Sequence, residues 1–129
     1  MSKIEKFEDI EAWKKARELT KTIYELTNKG LLARDFGLKD QLKRSSISIM
    51  ANIAEGFERG GDKEFRQFLA IYKGSVGELK AQLYVALDAD LITIEQFSSL
   101  SALADETSRL IAGFMRYLKQ SVHKGSKYK

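Results

Sequence analysis

The chain has 129 residues, 43% of them hydrophobic, and its 22 Lys plus Arg outnumber 18 Asp plus Glu to give a formal net charge of +4. That size suits one domain with one core, and the modest positive excess permits an acidic partner without requiring one. The absence of Cys excludes a disulfide, a thiolate metal ligand or a Cys nucleophile and fits a reducing cytoplasm, while no stretch has the apolar run of a signal peptide or membrane span, so a cytoplasmic protein with no membrane partner is expected.

Pro is absent, and Ala, Leu, Ile, Glu and Lys fill long stretches between a few Gly clusters, the composition of long helices. The first helix is expected over about 9–28, starting near 8–10, where Glu8, Asp9 and Glu11 sit favourably against the positive end of the helix dipole. Its inner stripe reads Ile10, Trp13, Ala16, Thr20, Ile23 and Leu26 or Thr27, at three-and-four spacing, and Asn28-Lys29-Gly30 stops it. A connector over 29–35 follows.

The second helix, about 37–57, is the most informative part of the chain. At about 100° per residue, Leu42, Ile47, Ile49, Met50, Ala51, Ile53, Ala54 and Phe57 cover an arc of roughly 200°. Gln41, Ser45, Ser48, Asn52 and Glu55 are left on the polar side. One small core needs less apolar surface than this, so the pattern asks for a second partner. Asn52 and Glu55 are candidate binding residues by position, but the favoured reading is structural, with Glu55 pairing with Arg59 and Asn52 tethering a neighbouring backbone.

After Gly60 and Gly61, Asp62 is a plausible N-cap for a third helix over 62–89. Phe65, Leu69, Tyr72, Val76, Leu79, Leu83 and Leu87 form its apolar stripe, and Ala70, Gly74, Gly77 and Ala81 form a second stripe of small residues. Gly costs about 1 kcal/mol relative to Ala inside a helix, so two on one face suggest a close approach by another helix. Thr93, Glu95 and Gln96 resemble a capping sequence for a fourth helix over 93–121, with Phe97, Leu100, Leu103 or Ala104, Thr107, Leu110 or Ile111, Phe114 and Tyr117 or Leu118 inside. Short connectors make neighbours antiparallel. The expected fold is all-α, an up-down-up-down four-helix bundle over 1–121 with a basic tail over 122–129.

No catalytic constellation is visible. A di-metal bundle needs Glu-x-x-His pairs facing the core, and the single His, His123, lies in the tail. The run 56–63, GFERGGDK, is Gly-rich like a phosphate loop, but no strand precedes it and Asp62 stands where Lys is needed. Ser45, Ser46 and Ser48 have no His within the domain to activate them. A non-enzyme with no cofactor and no metal is expected.

Basic residues gather at Lys14, Lys15, Arg17 and Lys21, at Lys39, Lys43 and Arg44, and at Arg59, Lys63 and Arg66. Acidic residues intersperse all three groups, and Phe68 and Tyr72 sit on core stripes rather than free to stack on bases. In the tail, Lys119, Lys124, Lys127 and Lys129 meet no acid. A ring-shaped oligomer multiplies each such cluster. The residues most suited to nucleic-acid contact are therefore Lys39, Lys43, Arg44, Arg59, Lys63 and Arg66. Those for an oligomer interface or structural role are Ile47, Met50, Ala51, Asn52, Ala54, Glu55, Ala70, Gly74, Gly77 and Ala81.

Taken together, Phe7-Glu8-Asp9-Ile10 with Trp13-Lys14-Lys15-Ala16, Phe36-Gly37-Leu38 with Gln41-Leu42-Lys43-Arg44, Ser48-Ile49, Asn52-Ile53-Ala54-Glu55-Gly56, Lys63-Glu64-Phe65 with Phe68-Leu69, Gly74-Ser75 and Glu78-Leu79 resemble a bacterial family. These are the four-helix-bundle proteins encoded by intervening sequences within 23S ribosomal RNA genes. The family commonly has Pro where this chain has Met50, which implies a straighter second helix here. The resemblance implies a homopentamer with a central channel, no enzymatic activity, and interaction with ribosomal RNA. A related group, the accessory variability determinant proteins of diversity-generating retroelements, implies the alternative of a scaffold that binds nucleic acid, RNA or DNA, and recruits a protein partner such as a reverse transcriptase.

Overall fold

The structure, a computed structural model, describes residues 4–123 and contains four long helices and, among the described residues, no strand. They are α1 (Glu11–Thr27), α2 (Phe36–Glu58), α3 (Asp62–Asp88) and α4 (Ile94–His123). Each packs on two others: α1 on α2 and α4, α3 on α2 and α4, with α2 against α3 the most extensive contact. Ser48 meets Ser75 while Ser45 meets Gln82, so the numbering falls along α2 as it rises along α3. Thr20 reaching Ser46, Lys80 reaching Asp105 and Lys15 reaching Glu106 link the other neighbouring pairs of helices. This is the expected bundle.

The chain enters it through a 3-10 turn at Phe7–Asp9 rather than directly through a helix. The Asp9 carboxylate accepts from the amides of Glu5 at 3.1 Å and Lys6 at 3.2 Å, which closes that turn and holds its pKa below the usual value. Ile10 is then extended, with φ −78° and ψ 121°, and α1 starts at Glu11 instead of at 8–10. The inner face becomes Ala12, Ala16, Leu19, Ile23, Leu26 and Thr27. Leu19 and Ala12 replace Trp13 and Thr20, which are half-buried. Trp13 packs edge-on against Phe7 at 5.0 Å, and Thr20 donates its hydroxyl to the Ser46 carbonyl at 3.1 Å.

The connector after α1 passes through Gly30 at φ +69°, a left-handed conformation that Gly adopts without strain. It then forms a second 3-10 turn, Leu31–Arg34, anchored by buried Leu32. Asp35 caps α2, its Oδ1 accepting from the Leu38 amide at 3.0 Å. The helix runs through Met50 without a break and buries Leu38, Leu42, Ile49, Ile53 and Phe57.

One expectation for this helix needs correction. Its surplus of apolar surface is narrower than the arc implies: Ile47 is 42% exposed and Ala51 exposed, but Met50 and Ala54 are half-buried. On its polar side Gln41 and Glu55 are exposed, Ser48 and Asn52 half-buried and Ser45 buried. Ser45 donates to Gln82 Oε1 at 3.0 Å, the Ser48 and Ser75 hydroxyls bond at 2.8 Å, and Asn52 Nδ2 donates to the Ser48 carbonyl at 2.8 Å. These bonds satisfy polar groups that packing removes from water, so a hydrogen-bonded seam joins α2 to α3.

Gly61, extended at φ −100° and ψ 144°, occupies the cap position of α3, and Asp62 is already the first helical residue. Asp62 is therefore not the N-cap. The expected stripe from Phe65 to Leu83 is buried, with Ala86 completing it while Leu87 is half-buried. At the α2–α3 crossing a Cβ on Gly56 would lie 2.8 Å from Phe65 Cδ1 and 3.0 Å from Phe68 Cβ, so close approach requires Gly there. The reverse holds at Gly74 and Gly77, where an added Cβ would meet nothing within 4 Å. Ala70, Gly74, Gly77 and Ala81 are all exposed, and among the described residues no helix covers them.

Asp90, at φ 59°, turns the chain into α4. Here the expected capping box is present: Gln96 N donates to Thr93 Oγ1 at 3.0 Å and Thr93 N to Gln96 Oε1 at 2.8 Å. The helix reaches His123, past the expected end at 121, and the rest of the basic tail, 124–129, lies outside the described residues. Among the described residues no helix is long and apolar enough to cross a membrane.

Candidate functional site

The six cations suited to phosphate contact are not one patch on a subunit. Lys39, Lys43 and Arg44 lie near the start of α2, while Arg59, Lys63 and Arg66 surround the turn into α3. Twenty residues at 1.5 Å each separate Lys39 from Arg59 by about 30 Å, the length of the bundle. The two groups occupy opposite ends.

Lys39, Lys43, Arg44 and Arg59 are each also held locally. Lys39 donates Nζ to the Ala33 carbonyl at 3.2 Å and lies 4.9 Å from the centre of the Phe36 ring. Lys43 lies 4.7 Å from the Tyr24 ring. Arg44 donates Nε to Asp40 Oδ2 at 2.7 Å, and that bond with its charge raises the Arg44 pKa above its ordinary value. At the other end, Arg59 pairs with Glu55 at 3.3 Å and lies 5.4 Å from the Phe68 ring. The structural reading of Glu55 is thus the one observed. Lys63 and Arg66 are exposed.

The first group differs from the second in having exposed aromatic rings beside it. Phe36 is 73% exposed and Tyr24 38% exposed. In the sequence Phe36 stands out only as part of the Phe36-Gly37-Leu38 motif, and Tyr24 belongs to no pattern named above. The signal was present: Phe36 precedes α2 by one residue of its expected start, and Tyr24 falls off the inner stripe of α1.

The expected interface residues divide less cleanly. Ile47, Ala51, Glu55, Ala70, Gly74, Gly77 and Ala81 are exposed, whereas Met50, Asn52 and Ala54 are half-buried. Large uncovered apolar groups also lie on α3: Ile71 is 54% exposed, and Tyr84 and Val85 are each 55% exposed. Periodicity placed the surplus on α2, where Phe36 and Ile47 are exposed, but α3 carries an exposed apolar face as well.

Elsewhere, a cleft of about 420 Å³ opens between the start of α1 and α4, lined by Ile10, Ala12, Leu110, Phe114 and Tyr117 with Asp9, Glu11 and Arg109. Its Asp9 is committed to the entry turn. Among the described residues no group of three His, Cys, Asp or Glu is placed to hold a metal ion. In the core, the Tyr72 hydroxyl is buried with no hydrogen-bond partner. Burial pushes its pKa up from 10.0 to about 12, moderated by the nearby Ser108 hydroxyl.

A family model described as 23S rRNA-intervening sequence protein matches residues 8–113. Among solved structures, the chain is similar to a protein of unknown function from the S23 ribosomal protein family of Bacteroides thetaiotaomicron. The two are 25% identical with a TM-score of 0.73, over 81% of this chain and 97% of that one. No curated protein matches the chain. The chain belongs to the 23S rRNA-intervening sequence protein family.

Proposed function

We propose that this member of the 23S rRNA-intervening sequence protein family is a non-catalytic, cytoplasmic homo-oligomer, a ring of five bundles, that binds ribosomal RNA through basic surface repeated by its symmetry. The observation that carries the reading is the uncovered outer face of α3. Ile71, Tyr84 and Val85 are each more than half exposed, and Ala70, Gly74, Gly77 and Ala81 run between them. A flat, small-residue surface flanked by large apolar groups suits a second helix at short range, and burying it recovers about 25 cal/mol per Å². Repetition then matters for charge. Two cation groups at opposite ends of one subunit become two rings of cations in a closed assembly, and phosphate contacts made together multiply in affinity.

RNA binding is tested by titrating a labelled 23S rRNA fragment with the full chain at two salt concentrations. Neutralising six to ten phosphates makes affinity fall by about 10³ to 10⁵ between 50 and 200 mM salt. Binding that stays flat across that range, or is absent, contradicts the reading.

The second reading is a scaffold that recruits a protein such as a reverse transcriptase. The exposed groups that favour it, Leu31 at 57% and Ile94 at 56%, lie outside the α3 face and stay available in an assembly built on that face. It predicts a partner that remains bound after nuclease treatment.

A further inference from the structure

The binding reading above leaves open which form of RNA is recognised, and one end of the bundle bears on that. We propose that the region where α1 ends and α2 begins is a stacking platform for single-stranded RNA, with Phe36 and Tyr24 as base-stacking rings and Lys39 and Lys43 as phosphate contacts. The inference rests on the RNA-binding reading and specifies its substrate.

Phe36 is 73% exposed, the most exposed large hydrophobic residue among those described. Leaving such a ring in water forgoes the stabilisation of burying it, and its contact within the chain is with the Lys39 ammonium. Tyr24 is the one uncharged residue on the exposed face of α1, among Glu11, Lys14, Arg17, Glu18, Lys21 and Glu25. The rings are joined by their cations. Lys39 Nζ lies 4.9 Å from the Phe36 ring and Lys43 Nζ 4.7 Å from the Tyr24 ring. Lys39 and Lys43 are one turn apart on α2, about 6 Å between their Cβ atoms. The result is a line of ring, cation, cation and ring.

Charge decides what fits this line. Asp35 accepts from the Leu38 amide at 3.0 Å and Asp40 pairs with Arg44 at 2.7 Å. Among the described residues neither Lys39 nor Lys43 forms an ion pair with a carboxylate. An apolar protein surface docking on Phe36 must desolvate two ammonium groups at a penalty of several kcal/mol per ion. A phosphate backbone replaces that hydration with opposite charge, and its unpaired bases present faces to the rings. A duplex keeps those faces stacked internally, so it engages the lysines alone.

The test is fluorescence anisotropy with a labelled uridine dodecamer and the same strand annealed to its adenosine complement, using the full chain. The single strand is expected to bind at least about ten-fold more tightly than the duplex. Phe36→Ala should weaken single-strand binding about ten-fold while leaving the salt slope and the thermal transition unchanged, and Phe36→Tyr should restore it. Lys43→Gln should instead lower the salt slope by about one.

Equal affinity for the two RNAs, or a Phe36→Ala chain that binds the single strand like the parent, overturns the platform while salt-dependent RNA binding stands. A Phe36→Ala chain that sediments as a smaller species assigns the ring to contact between copies and also overturns it. No binding of either RNA by the parent chain removes both this inference and the reading beneath it.

Discussion

The outer faces of α1 and α3 share one bundle and have opposite chemistry. On α1 the exposed positions are charged apart from Tyr24, and neighbours pair along the helix, Lys14 with Glu11 at 3.0 Å and Lys15 with Glu18 at 3.2 Å. On α3, between 70 and 85, only Lys73 and Glu78 interrupt an exposed run of Ala70, Ile71, Gly74, Gly77, Ala81, Tyr84 and Val85. Their inner faces are alike in that each buries an apolar stripe, aliphatic on α1 and joined by Phe65 and Tyr72 on α3. Core formation within the subunit therefore accounts for one face of each helix. It leaves α3 with an apolar surface that water does not favour, and α1 with a surface that water does.

Substitutions measured by chemical denaturation sharpen that contrast. The largest effect belongs to the inner side of α3: Leu79, fully buried, should cost about 2–5 kcal/mol as Leu79→Ala. Gly56→Ala comes next, at about 1–3 kcal/mol, because the added Cβ collides with Phe65 and Phe68. Gly74→Ala should do the opposite to the subunit. The new Cβ meets nothing, so helix propensity gains about 1 kcal/mol, yet the assembly should weaken when measured by sedimentation. An assembly indifferent to Gly74→Ala breaks the contrast between the two faces.

The alkaline limb of stability reports the core beneath α3. The folded state raises the Tyr72 pKa from 10.0 to about 12, so it holds its proton more tightly than the unfolded chain does. Its contribution is complete below about pH 10 and is lost as pH rises through the folded value near 12. Tyr72→Phe should flatten that loss in thermal melts across the same pH window. The smallest effect is expected at the half-exposed pair Lys80–Asp105, 2.6 Å long. Lys80→Ala should cost about 0.2–1 kcal/mol, and Lys14→Ala on α1 no more than about 0.5 kcal/mol.

Four helices, their order and most of the inner stripes were legible because a 3.6-residue period carries burial directly. The Thr93–Gln96 box was legible because its chemistry is local. The entry to α1 was not, since Asp9 closes a turn through the amides of Glu5 and Lys6 and the helix starts only after Ile10. Leu19 shares the inner arc of Ala16, Ile23 and Leu26, with Thr20 half-buried at its edge. The α3 partners of Ser45 and Ser48, Gln82 and Ser75, were not legible because a one-helix pattern cannot register a hydrogen bond to another helix. Of the candidate site, the cations were visible as residue types. Their separation along α2 and the Phe36–Lys39 pair follow from the spacing of that helix once it is drawn, whereas Tyr24 beside Lys43 emerges only when α1 is laid along α2.

The claim on which the rest depends is that a second copy covers the outer face of α3. Sedimentation equilibrium of the full chain at micromolar concentration tests it most directly, alongside Gly77→Glu, a change on an exposed position where the subunit offers no contact. The account predicts a mass of several subunits for the parent chain and a folded single subunit for Gly77→Glu. A parent chain that sediments as one subunit at every concentration contradicts it.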